Sequence, residues 1–286
     1  MANETEISNA AKPTNVVSDA ISAALVQAVV CVPHVYAEDL PVGTNVKLFR
    51  KDGSLTAEAV SESATYNFSA SSELTQSTIT ATAVKTAVVS KLTVEAQQFT
   101  SIDMNKIAME QGKAIARKLD DDVLALFDGL TNVVTATNVL TVADIMQGAY
   151  TVRSALAGGI GRRLIGIFDY KGIFEVQKEL MLSAASALTQ APLITLLTGL
   201  PQANGYVGSV PGVDLYQTDG LSTTGGDDQA AVFNPETCFA GVYSPSVQTR
   251  QVWVGSGGFW DEIASFVFSH VVEWNDTAGV EVRSDT

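Results

Sequence analysis

The spacing of apolar positions changes along this chain, and each change predicts a different element. From Asp103 to Asp128 the rhythm is three-four. Met104, Ile107, Ala108, Ile115, Leu119, Val123, Leu126 and Phe127 share one face with Gln111, which predicts one long helix. Ser101 or Asp103 can cap its start, and Gly129 stands just past its end. At 1.5 Å per residue it would run roughly 40 Å, the width of a domain. Gly112 in its middle costs about 1 kcal/mol against alanine, which points to a close neighbour on that side.

Upstream the period is two. Val46, Leu48 and Arg50 alternate with Asn45, Lys47 and Phe49, and Lys51-Asp52-Gly53-Ser54 supplies a turn of the hairpin type. A second β-rich run, Ser77–Val94, is heavy in Thr and Val. Between them Ser61–Glu73 is a Ser-rich polar connection carrying Tyr66 and Phe68. A polar β arm of this length has little to bury by itself and needs another surface to lie on.

Thr141–Ala157 reads as a second helix, opened by a Thr141…Asp144 capping box and stopped at Gly158-Gly159. Arg163–Phe168 reads as a buried strand, followed by a helix from near Asp169 that carries Ile173, Phe174 and Val176. Ala185–Leu200 reads as helical with breaks at Pro192 and Gly199. Gly205–Leu221, rich in Gly and Pro, turns into a strand, and the polar loop Ser222–Asp228 follows. Strands are expected near Ala230–Phe233, Phe239–Tyr243, Gln248–Val254 and Phe266–Val282. At the other end, Ala2–Asn15 reads as a polar arm and Asp19–Val30 as a short helix. There is no internal repeat. The fold class is α+β with long excursions.

Composition narrows what such a chain does. Hydrophobic residues make up 46% and charged residues 17% of the 286, which excludes a disordered chain. So few charges also favour a surface shared with neighbours. A formal charge of −14 argues against gripping phosphates. Lys113, Arg117 and Lys118, or Arg162 and Arg163, could still face a genome locally, or serve as solvated or interface charges. Two cysteines, Cys31 and Cys238, are too few for a disulfide framework and suit a reducing compartment. Ala20–Pro33 is too short and too interrupted by Gln27 to span a bilayer, and no targeting segment is expected.

Catalytic patterns are missing. There is no phosphate loop or dinucleotide fingerprint, and Gly255-Ser256-Gly257-Gly258 is not a nucleophile elbow. A Ser-His-Asp triad would have to recruit His34 or His270, the chain's two histidines. Cys31 and His34 lie close in sequence but fall short of a zinc ligand set. Asp120, Asp121 and Asp122 point about 100° apart on a helix and cannot converge on one ion. Asp120 and Asp121 are expected to face solvent or a partner's basic groups. No cofactor and no metal are expected.

The order of these parts resembles the major capsid proteins of the tailed bacteriophages, which have the Hong Kong 97 fold. Gly43–Phe49 followed by Leu55–Ser63 resembles their extended loop, and Lys85–Glu95 running through Asp103–Leu126 their peripheral strand and spine helix. Gly205–Gly220 resembles the family's Gly-x-x-Gly-x-x-x-Gly-Val-x-Val stretch with Leu215 at the final apolar place, and Val271–Val282 the closing strands. The resemblance covers most of the chain from about residue 42 onward.

It implies an arm and short helix at 1–41, an extended loop at 42–82, peripheral strand and spine helix at 83–134, an axial domain at 135–242, and return strands completing the peripheral domain at 243–286. It implies a non-enzymatic shell subunit that assembles with copies of itself as pentamers and hexamers around double-stranded DNA. The shell would form in the host cytoplasm, with scaffolding, portal and decoration proteins as further partners. Without a large amino-terminal scaffolding domain, a separate scaffolding protein or none is expected.

The candidate assembly residues are Arg50, Lys51, Asp52, Glu58, Glu62, Tyr66, Phe68, Arg117, Asp120, Asp121, Arg162 and Arg163. Some family members cross-link Lys to Asn; Lys51 at the arm tip reads as a solvated lysine. The nearest rival is an encapsulin-like nanocompartment around protein cargo, against which the polar arm Ala2–Asn15 speaks, since such shells usually begin with a helix. An uncharacterised hydrolase using His34 or His270 is the third reading.

Overall fold

The computed structural model describes residues 13–40, 43–52, 76–93, 104–136, 139–156, 163–186, 205–221, 223–224, 227–244, 246–254 and 260–285. Helix α1 spans Pro13–Ala28 and starts inside the stretch expected to be arm. Helix α2 spans Met104–Leu124, and the chain then tightens into a 3₁₀ turn at Phe127–Gly129. The long predicted helix is therefore present and one turn shorter. Gly112 is where α1 crosses it: a Cβ there would lie 2.7 Å from the Ile21 carbonyl oxygen and 2.8 Å from the Ala24 Cβ. The mid-helix glycine is the contact that lets two backbones touch.

Three sheets carry the rest. Strand β1 (Tyr36–Asp39) runs parallel to β11 (Phe239–Tyr243), which pairs with β13 (Trp260–Glu273). Strands β12 (Gln248–Val254) and β4 (Val84–Thr93) pair with opposite edges of β13, which completes a five-stranded sheet. A seven-stranded sheet follows the order β5 (Val133–Thr135), β14 (Gly279–Asp285), β10 (Asp227–Phe233), β6 (Leu164–Asp169), β8 (Val213–Thr218), β7 (Tyr206–Val210), with β9 (Thr223–Thr224) against β10. Strands β2 (Val46–Asp52) and β3 (Gln76–Thr82) form a two-stranded antiparallel sheet.

Two expected strands prove to be pairs of strands. The run Ser77–Val94 breaks at Ala83, leaving β3 in the hairpin and β4 in the five-stranded sheet. The closing segment breaks at a 3₁₀ turn, Asp276–Ala278, which sends β13 and β14 into different sheets. The return strands expected over 243–286 thus serve both sheets. The Gly/Pro stretch is itself a hairpin, β7–β8, turning at Pro211-Gly212, where Gly212 sits at φ +82°. The helix expected over Ala185–Leu200 lies almost wholly outside the described residues.

Helices α3 (Val142–Ala155) and α4 (Tyr170–Ser186) pack Ile145, Ala149 and Val152, and Ile173, Val176 and Leu180, with Leu164, Phe168, Leu215 and Val232 of the seven-stranded sheet. The predicted Thr141–Asp144 capping box is formed. Glu175 and Glu179 of α4 also accept from Leu140 N and Val142 N at the start of α3. Phe127, just past α2, stacks with Phe233 and Phe239 at centroid distances of 5.8 and 5.8 Å and joins the two large sheets. Helices α1 and α2 cover one face of the five-stranded sheet through Ile21, Ile115, Leu119, Ile263 and Val267.

Candidate assembly surfaces

The hairpin β2–β3 has two unlike faces because side chains alternate along a strand. Phe49 (2% exposed) and Ala81 point inward and pack with Ala240, Val242, Phe268, Val272 and Trp274 on the free face of the five-stranded sheet. Val46 and Leu48 (57% exposed) point outward with Arg50, opposite Thr82, Thr80 and Thr78. The expectation of a β arm with little to bury holds for the outward face alone.

The root of the hairpin is bolted to its own subunit by polar contacts. Lys47 Nζ lies 2.5 Å from Glu38 Oε2 on β1, and that hydrogen bond holds the Glu38 carboxyl below the usual carboxylate range. Trp274 Nε1 donates to the Arg50 carbonyl at 3.1 Å, and Thr82 N donates to His270 Nδ1 at 3.0 Å. Tyr36, Phe49 and Trp274 form an aromatic cluster beneath.

Arg50 is exposed on the outward face. Lys51 is not at a tip: it pairs with Ser77 near the end of β2, half-buried, and its charge opposes part of the rise that burial and Asp276 impose on the Glu273 carboxyl. Asp52 pairs with Gln76 as the last described rung, so Lys51 and Asp52 are strand residues and not part of a tight turn, while Gly53 and Ser54 lie outside the described residues. Glu58, Glu62, Tyr66, Phe68 and Arg162 lie outside the described residues.

Asp120 is a correction. It is buried, and its two oxygens accept from Val30 N at 2.7 Å, Cys31 N at 2.9 Å and Val32 N at 3.2 Å. It fastens the exit of α1 to α2 and is unavailable to a partner. Burial raises its carboxyl, and those three donors oppose the rise. Nothing in the local pattern distinguished Asp120 from its neighbours; its partners lie about ninety residues away.

Asp121 and Arg117 are exposed on α2 and line a cleft of about 460 Å³ with Lys113, Met109, Tyr170 and Gly220. Arg163, also exposed, is ion-paired with the buried Asp214 at the β7–β8 turn.

The histidines stand apart. His34 rests on Tyr216 with ring centroids 4.1 Å apart, and burial, then the Arg163 charge, lowers its pKa to about 4. His270 takes its proton donor from the Thr82 backbone. Cys31 and Cys238 are both buried free thiols whose pKa burial raises. No group of three or more His, Cys, Asp or Glu side chains suited to a metal occurs among the described residues, and no helix among them is long and apolar enough to cross a membrane.

Sequence patterns gave no warning of the exposed aromatics. Tyr150 on α3 and Tyr170 and Phe174 on α4 are each more than half in solvent. Of the three apolar residues expected on this helix, Ile173 and Val176 are buried and Phe174 faces solvent.

No family model matches the chain, and no curated protein sequence matches it. Solved structures do. The capsid of Ralstonia phage GP4 is similar at a TM-score of 0.67 and 8% identity, covering 88% of this chain and 87% of that one. The acidic stable capsid of Helicobacter pylori bacteriophage KHP30 is similar at 0.65 and 12% identity, covering 88% of each chain. The holo-SrpI encapsulin complex from Synechococcus elongatus PCC 7942 is similar at 0.62 and 10% identity, covering 89% of this chain and 86% of that one. The α+β chain therefore has the fold of phage capsid and encapsulin shell subunits.

Proposed function

We propose that this chain is the structural subunit of a phage head, assembling through pentamers and hexamers into an icosahedral shell around double-stranded DNA. The observation that supports it most is the hairpin. Its root is built rigidly into the subunit while its outward face and the exposed rings of Tyr150, Tyr170 and Phe174 are left for something else to cover. Similarity to capsid subunits over nearly the full length gives that arrangement a purpose. Repeated heterologous contacts close into a shell when the rotation between copies closes, and each contact can then be modest.

In this reading 42–82 reaches toward a neighbour, α2 braces a peripheral layer, and the layer built on α3 and α4 gathers round the local symmetry axis. Strand β14 goes with that axial layer and β13 with the peripheral one. The role is non-enzymatic, with scaffolding, portal and decoration proteins as further partners and the host cytoplasm as the place of assembly.

Negative-stain microscopy of the protein expressed alone and with a scaffolding protein tests this: closed shells of uniform size are expected. A solitary monomer under every condition, by sedimentation, overturns it. The encapsulin-like alternative is favoured by the similarity to the SrpI shell and by a helix beginning at Pro13, which weakens the arm as an argument for a virus. Particles that contain an enzyme and no genome would decide for it.

A further inference from the structure

The end of the seven-stranded sheet remote from α2 gathers two arginines at one turn. Just past β8 the chain meets α2, where a Cβ on Gly220 would lie 3.1 Å from Asp121 Oδ1. The Pro211-Gly212 turn stands at the opposite end of that six-residue strand, roughly 20 Å away. Arg153, in the last turn of α3, donates from Nη2 to the Gly212 carbonyl at 3.0 Å. A Cβ at position 212 would collide with that guanidinium, so the glycine, at φ +82°, both makes the turn and admits the arginine. Arg163, just before β6, pairs with Asp214 of β8. Val213 and Leu215 join the core that α3 covers, so Asp214, alternating with them, lies with its arginine on the other face. The two guanidinium groups flank the turn from opposite sides.

The fold leaves both arginines with donors to spare. Asp214 is buried and holds Arg163 through Nε, while the arginine side chain is 70% exposed, so its terminal nitrogens stay in solvent with their direction set. Its charge is not cancelled there. Burial lowers the pKa of His34 and the Arg163 charge lowers it further, and the same charge opposes the rise that burial gives Tyr216. Arg153 Nε is buried without a hydrogen-bond partner among the described residues, and a buried donor in that state calls for an acceptor. Its Nη2 shares the Gly212 carbonyl with Leu164 N. Beside Arg163 is a hollow of about 200 Å³ lined also by Ser209, Gly212 and Asp214. Ser209 stands opposite Asp214 in the β7–β8 register, so its hydroxyl is a further donor on that face.

We infer that this corner binds phosphate groups, those of a free polyphosphate or of a nucleic-acid backbone. Two guanidinium groups against the one carboxylate of Asp214 leave it net positive on a chain of formal charge −14. An arginine fork matches phosphate oxygens, and one already oriented by a buried carboxylate gives up little freedom in holding them. A phosphate in the hollow meets the terminal nitrogens of Arg163 and the Ser209 hydroxyl. A longer polyanion crossing the turn meets the Arg153 side as well. The site belongs to the single copy. Under the shell reading the copies of a pentamer or hexamer hold such corners at one radius, and a multivalent phosphate then engages several at once.

Calorimetric titration of dissociated full-length subunits at low salt, with sodium tripolyphosphate and with a short DNA duplex, tests this. Tripolyphosphate is expected to bind the wild type. The variant R163Q/D214N leaves no buried carboxylate unpaired and keeps the net charge of the chain, so a loss of binding reports the corner itself. That variant and R153Q are each expected to weaken binding at least tenfold, and K113Q/R117Q on α2 to leave it unchanged. A duplex that competes with tripolyphosphate for the same arginines assigns the site to a nucleic-acid backbone, and a duplex that does not bind assigns it to a free polyphosphate. Tripolyphosphate that fails to bind the wild type, or binds R163Q/D214N equally well, overturns the inference. The titration uses subunits and not shells, so its failure leaves the shell reading standing, and chains that never form shells leave the phosphate site standing.

Discussion

At Asp120 one carboxylate serves three backbone donors, that of Cys31 buried and those of Val30 and Val32 part-buried, and no side chain of similar size replaces both of its oxygens as acceptors. Leaving such donors unpaired costs about 1–3 kcal/mol each where water cannot reach them. Asp120→Ala is expected to lower subunit stability by roughly 3 kcal/mol, read from the urea midpoint; an unchanged midpoint would show that Val30–Val32 find other acceptors.

Glu273 gives the opposite sign. Burial, then the Asp276 carboxylate and the hydrogen bond between them, raise its carboxyl above the ordinary 4.5. A carboxyl raised in the folded state favours folding below its unfolded value, and that contribution is lost as pH rises through the folded value. Glu273→Gln is therefore expected to raise the urea midpoint at pH 7 and to leave it unchanged near pH 4. The same midpoint shift at both pH values would count against a charge effect.

At the scale of elements, two contacts decide how the pieces sit. Glycine at position 112 lets α1 lie on α2, so Gly112→Ala gains helix propensity but drives a methyl into Ile21 and Ala24. A lower melting temperature is the expected result, despite alanine's advantage of about 1 kcal/mol in an isolated helix. Phe49 does the equivalent for the hairpin. Removing a fully buried phenylalanine costs about 3–5 kcal/mol in a core. At this peripheral site Phe49→Ala is expected to loosen the hairpin locally, with faster limited proteolysis within 43–82 and an unchanged global unfolding midpoint.

Helix α2 and the capping box of α3 were legible in sequence because their signals are local: the three-four spacing of α2 and the Thr141–Asp144 pair of α3. The inward face of β2 was not. Val46, Leu48 and Arg50 alternate with Lys47 and Phe49 on comparable terms, and the docking surface of Trp274, Val272 and Val242 selects Phe49.

For the whole molecule the hairpin register suggests a clean excision. Asp52 faces Gln76, so replacing residues 53–75 by Asn-Gly should close β2–β3 with a tight turn. The shortened subunit is expected to fold, with a circular dichroism spectrum and melting temperature close to wild type, and to fail to build heat-resistant shells. Shells as robust as the full-length protein's would remove the segment from assembly. This is a sharper cut than deleting Thr44–Thr80, which would also take away Phe49 and expose Ala240 and Val242.

The chain's local code was enough to set the α+β class, the long helix, the polar β excursion and the lack of a catalytic pattern, since periodicity, caps and composition act over a few residues. Three things depended on contacts between distant segments. One is the division of Ser77–Val94 and of the closing strands between sheets. The others are Asp120 as an internal clasp and the meeting of Arg153 and Arg163 at the β7–β8 turn. A strand's alternation says that it has two faces; which one is buried, and beside which partner, is settled by what the rest of the chain brings against it.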